Sequence, residues 1–173
     1  MTKSDCFNVM ECVAKRKLEG VMVHDVLSDA FSIMNMPAFY KIHKHRALEE
    51  FKEFQNVKDY IVVRYGKIPS TEGASVDDKS ILNFGQKYDR DNLNIENKKR
   101  IVAYLLEYIV QWESETIDLL SKKYKELFNS GAIAESIFVS ELIEDTDEEL
   151  EMFIKSEIKF KDLNYDMSAV VCE

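Results

Sequence analysis

NKKRIVAYLLEYIVQWESETIDLLSKKYKELF, residues 97–128, decides the fold. The stretch holds no Gly or Pro, and Val102, Leu105, Leu106, Ile109, Ile117, Leu120, Tyr124 and Leu127 recur at the three- and four-residue spacing of one helix face. Glu113 is the single acid on that face, and Thr116 accompanies it. An unpaired ionised carboxylate in a core costs several kcal/mol, so Glu113 needs a proton, a cation or a metal ion.

Three more helices follow on either side. The first covers about 5–34, interrupted by Gly20 alone, with Val23, Val26, Leu27, Ala30, Phe31 and Met34 at helical spacing. Pro37 suits the first turn of a second helix, where its missing N–H has no intrahelical partner. That helix runs to about residue 65 with Phe39, His43, Ala47, Glu50, Phe54, Val57 and Ile61 on one face, and Gly66 stands at the stop. Residues 66–96 are polar apart from a cluster at Ile81, Leu82 and Phe84 and read as a crossover with one helical turn. A connection of that length lets the second and third helices run parallel. Asn129-Ser130-Gly131 ends the third helix, a fourth covers about 132–158, and a short tail follows.

The expectation is one all-α domain, residues 1–173: an up-down four-helix bundle with a long crossover between its second and third helices. With 46% apolar residues, 5 Gly and 2 Pro among 173 residues, a single helical core is affordable and a turn-rich β fold is not. A formal charge of -9, from 32 acids against 23 Lys and Arg, argues against nucleic acid or anionic lipid as partner and for cations. No apolar run nears the roughly 18 residues of a membrane span. Cys6, Cys12 and Cys172 lack CxxC spacing, and no leader-like segment precedes them, which fits a reduced cytoplasm. No Ser-His-Asp or Cys-His arrangement and no phosphate-binding Gly loop is present.

Glu113 is not alone. Glu50 lies on the apolar stripe of the second helix, Glu19 one turn before Val23 and Val26 on the first, and Glu149 shares a face with Phe138, Leu142 and Phe153 on the fourth. Glu50 and Glu53, three apart, project from adjacent turns of one face. Few bases share these stripes, Arg46 and His43 excepted, so metal is the leading explanation, and carboxylates favour iron or manganese. Solvated acids at the stripe edges are the plain alternative. His24, His43 and His45 read as core or surface histidines before they read as ligands. Trp112 packs between helices, and Met22, Met34 and Met36 fill gaps rather than bind haem.

Leu18-Glu19 and Leu27-Ser28, Phe39 with Glu49-Glu50 and Asp59-Tyr60, Glu113, and Glu144-Asp145-Thr146-Asp147-Glu148-Glu149 together resemble the ferritin superfamily, non-haem bacterial ferritins in particular, over residues 10–158. The resemblance implies an intrasubunit di-iron centre that oxidises Fe(II), with Glu19 and Glu113 as terminal ligands and Glu50 as the bridge. It implies storage or detoxification of iron in a homo-oligomer of hollow-cage type, with Thr146 near the centre and Glu49, Asp145, Glu148 and Glu149 at a neighbouring iron site or entry path. Glu53 stands where the family usually has His, and Val26 where many members have Tyr. Residues 36–43 also resemble the Dps-like miniferritins, but Phe31 and Ala47 stand where that branch has a His and an acid. The remaining alternative is a structural ferritin-like protein with a vestigial site.

Overall fold

The computed structural model describes residues 2–76 and 93–164. Within them the chain forms four helices: α1 Lys3–Ile33, α2 Pro37–Tyr65, α3 Ile95–Asn129 and α4 Ile133–Asp162. The turn expected at Ile81–Phe84 and the tail beyond residue 164 lie outside the described residues.

Local chemistry sets the helix ends. Thr2 and Asp5 form a capping box that satisfies otherwise orphaned N–H groups at the start of α1. Pro37 occupies the first turn of α2, and Gly66 ends it at φ 66°, a left-handed conformation that glycine adopts without penalty. Asn94 caps α3 through a bond from the Asn97 N–H.

Residue pairings give the topology. Lys17 meets Glu50, His24 meets His43 and Phe31 meets Phe39, so α1 and α2 are antiparallel. Arg64 with Glu135, Arg46 with Glu149 and Phe39 with Phe160 make α2 and α4 antiparallel as well. Because α3 and α4 are joined by the short turn after Asn129 and pack lengthwise, α2 and α3 run parallel. The long crossover is the necessary consequence.

The core is divided. One apolar cluster gathers Leu27, Phe31, Phe39, Leu105, Ile109 and Phe153; the other gathers Met10, Val13, Ile61, Leu120, Leu127 and Leu142. Burying such side chains stabilises the fold by about 1.5–3 kcal/mol each. Between the clusters lies a buried polar layer: Lys17 and His24 from α1, His43 and Glu50 from α2, Glu113 and Thr116 from α3, and Thr146 and Glu149 from α4. Polar groups here cost free energy unless they are partnered, which makes this layer the place to look for function.

Candidate metal centre

Each helix delivers its residues to the layer through the same three- and four-residue spacing that builds the apolar clusters. On α1 the buried stripe is Met10, Val13, Lys17, Gly20, His24, Leu27 and Phe31. Glu19, expected as a ligand, lies off this stripe: it is partly buried beside Arg16, 3.7 Å from its guanidinium. Residues 17, 20 and 24, rather than 19, represent α1 in the layer.

Lys17 is the centre of one half. Its ammonium, 1% exposed, donates to Glu50 Oε1 at 3.1 Å and to Thr146 Oγ1 at 3.2 Å, and lies 2.6 Å from Glu53 Oε2. The sparsity of bases expected on the stripes is thus corrected, because a lysine reaches the middle of the acids. Gly20 makes room for this arrangement. A Cβ there would lie 2.6 Å from Glu50 Oε2, so glycine gives the carboxylate room to rest against the α1 backbone.

The other half is built on histidine. His24 Nε2 lies 3.2 Å from Glu113 Oε1, and His24 Nδ1 lies 3.0 Å from His43 Nδ1. His43 is stacked between Phe31 and Phe153. Glu149 Oε1 accepts from Arg46, at 2.6 Å, and the same guanidinium nitrogen reaches Glu49 Oε2 at 2.6 Å. Among the described residues, His43 Nε2, Glu113 Oε2 and Glu149 Oε2 are buried without a hydrogen-bond partner. Arg16 closes the layer beside α3, its guanidinium 3.4 Å from the centre of the Trp112 ring and bonded to Thr116 Oγ1.

Two groups of possible ligand atoms lie within 4.8 Å of one another: His24, Glu113 and Glu149, and Glu50, Glu53 and Glu149. Of the acids singled out in the sequence, Glu50, Glu53, Glu113 and Glu149 are therefore brought together. Glu49 is at the margin through Arg46, and Asp145 and Glu148 are exposed on the outer side of α4. Lys17 and Gly20 enter the layer with no motif to mark them in the sequence, and His24 enters it although its pattern is that of a core histidine. Their signal was the three- and four-residue spacing from Met10 to Phe31.

Burial governs the protonation of the layer. It pushes Glu113 up to about 7 against the attraction of Lys17, Arg16 and Arg46. Burial, opposed by Lys17 and reinforced by Glu53 and Glu113, likewise holds Glu50 at about 7. Glu149 rises to about 9, through burial and then the nearby Glu113 and Glu50 charges, which together outweigh Arg46. His24 falls to about 3 and His43 well below its ordinary value, because burial disfavours the imidazolium in both. Burial would also lower Lys17, but Glu50 and Glu53 overcome it and hold the ammonium charged. A neutral imidazole offers its lone pair to a metal ion without losing a proton, and a carboxyl that releases its proton near neutrality gives it up to the metal at little cost.

No sequence family and no curated protein matches this chain. Several solved structures do, among them the bacterioferritin of Desulfovibrio desulfuricans, whose structure was determined for its di-iron site in different catalytic states. That likeness has a TM-score of 0.71 at 18% sequence identity and covers 98% of this chain and 86% of the bacterioferritin. The chain therefore has the ferritin-like four-helix-bundle fold. No described helix is long and apolar enough to cross a membrane.

Proposed function

We propose that this protein binds iron inside its bundle, at His24, Glu113 and Glu149, and serves iron storage or detoxification. The observation that carries this reading is the pair of buried carboxylate oxygens, Glu113 Oε2 and Glu149 Oε2, that lack a partner among the described residues beside the His24 imidazole. Leaving such oxygens unpaired costs about 1–3 kcal/mol each, more when they are charged, and a cation between them removes that cost. One imidazole and two carboxylates suit iron or manganese better than thiolate-seeking metals. The fold supports iron by analogy with the bacterioferritin and its di-iron site.

The residues have distinct roles. Glu113 and Glu149 supply charge and oxygen donors, and His24 supplies a neutral nitrogen. Ligation through His24 Nε2 requires the proton on Nδ1, where His43 Nδ1 accepts it, so His43 orients the ring and sets its tautomer. Arg46 holds the second oxygen of Glu149 and keeps that side chain aimed inward. Iron bound there would supply one-electron redox chemistry, by which Fe(II) would pass an electron to dioxygen or peroxide and become Fe(III).

The test is an anaerobic Fe(II) titration of the metal-free protein by calorimetry, beside Glu113→Gln and Glu149→Gln. Tight binding by the wild type and a loss of at least tenfold in each variant are expected. Absence of binding in the wild type would overturn the reading. A second reading, a structural protein with internally neutralised acids, is favoured by the Lys17 ammonium among Glu50 and Glu53 and by Arg46 on Glu149. That reading predicts no Fe(II) binding in any of the three proteins.

A further inference from the structure

We infer that Lys17 is a built-in cation that takes one half of the centre, so that the bundle accepts one metal ion per chain and not a pair. The inference rests on the metal-binding reading above and specifies its stoichiometry.

Three observations carry it. The first is position. Of the two groups of candidate ligands, the one formed by Glu50, Glu53 and Glu149 already surrounds an ammonium, which lies 3.1 Å from Glu50 and 2.6 Å from Glu53. A metal ion bound to those oxygens would sit against a positive charge among largely buried side chains, where repulsion is poorly screened. Lys17 cannot withdraw, since it is 1% exposed and held by Thr146 as well.

The second is the donor set of α1. The residues it places in the layer are Lys17, Gly20 and His24, a cation, a hydrogen atom and a neutral imidazole. Glu19 is outside, next to Arg16. A pair of divalent ions needs bridging and terminal oxygens from several helices, and α1 contributes none. Gly20 turns the same position to another use, because the absent Cβ lets Glu50 lie against α1 and face the ammonium.

The third is charge. Glu50, Glu53, Glu113 and Glu149 oppose Lys17 and Arg46. With all six ionised and the Arg16–Glu19 pair beside them neutral, two negative charges remain, the complement of one divalent ion. A second divalent ion would leave the layer with excess positive charge in the middle of an apolar core, which burial penalises heavily.

The experiment uses the full-length protein, stripped of metal and titrated anaerobically with Fe(II) or Co(II), with native mass spectrometry counting ions per chain. The wild type is expected to bind one ion and Lys17→Arg, which keeps the cation, also one. Lys17→Met, which removes the charge at similar volume, is expected to bind two. Because Lys17→Met also unpairs Glu50 and Glu53 and its apoprotein can fail to fold, a second measurement uses the wild type alone. Anomalous scattering from crystals soaked in Mn(II) should give one peak beside His24, Glu113 and Glu149 and none between Glu50 and Glu53. Two ions in the wild type, a peak between Glu50 and Glu53, or a folded Lys17→Met that binds only one ion would overturn the inference and leave metal binding standing. No ion in the wild type would overturn the metal-binding reading beneath it.

Discussion

At the scale of single residues, the layer depends on atoms that are absent as much as on those present. Gly20 is in mid-helix, where alanine would ordinarily be better by about 1 kcal/mol. Here the added methyl would meet Glu50 Oε2 at 2.6 Å, and Glu50, buried and bound to Lys17, has little room to retreat. Gly20→Ala should therefore destabilise the protein by about 1–3 kcal/mol, the usual range for overpacking, and a gain in urea denaturation would refute the crowding argument. His43 acts on the site through His24. His43→Phe keeps the stack with Phe31 and Phe153 but removes the acceptor for His24 Nδ1–H. Fe(II) affinity should fall by about 10–100-fold with the fold retained, as is typical for groups that orient a metal-bound histidine. Unchanged affinity by calorimetry would show that His43 merely fills space.

At the scale of helices, one side chain ties three elements together. Lys17 of α1 joins Glu50 and Glu53 of α2 to Thr146 of α4 across the interior. Breaking a buried ion pair from one side leaves the other charge uncompensated, at a cost of about 3–5 kcal/mol. The metal-free Lys17→Met protein should lose stability of that order at pH 8. The loss should shrink at pH 6, below the pH near 7 at which burial lets Glu50 take up a proton. Chemical denaturation at the two pH values checks both parts, and an equal loss at each would mean that the carboxylates are not what Lys17 compensates.

For the molecule as a whole, the layer makes stability depend on pH in a way that surface charges do not. Glu50, Glu113 and Glu149 have raised values of about 7, 7 and 9, so the stability they contribute is full below pH 4.5 and is lost as pH rises through those values. His24 and His43 are lowered, so their contribution is full above pH 6.5 and is lost as pH falls. Below pH 6.5 the two effects largely oppose one another. Above it only the carboxylates act. The melting temperature of the metal-free protein should fall gently from pH 5 to 6.5, where three carboxylates outweigh two histidines, steeply to about pH 7.5, and gently again to pH 9. With iron bound the decline should flatten or reverse, since the metal needs the ionised carboxylates. A metal-free protein that gains stability from pH 6.5 to 9 in a thermal melt would contradict these protonation states.

The amino-acid sequence by itself determined four helices and most of their ends, although the third starts at Ile95 rather than about 97 and the fourth runs to Asp162 rather than about 158. Periodicity from Val102 to Leu127, Pro37 at a helix start and Gly66 at a stop are local signals that act within a few residues. It also showed that Glu50, Glu113 and Glu149 belong on apolar stripes, because a stripe is a property of one helix. Which cation those acids meet was a matter for the tertiary structure alone. Lysine on a stripe ordinarily carries its charge out to water along a flexible stem, and only packing on every side keeps the Lys17 ammonium inside. The inward face of α1 was legible in the spacing from Met10 to Phe31, but that its lysine would meet Glu50 and Glu53 was not. Each helical residue turns by about 100°, so the apolar stripe sets the face of α1 that looks inward, and the room beside Gly20 that Glu50 of α2 fills exists only once the helices pack.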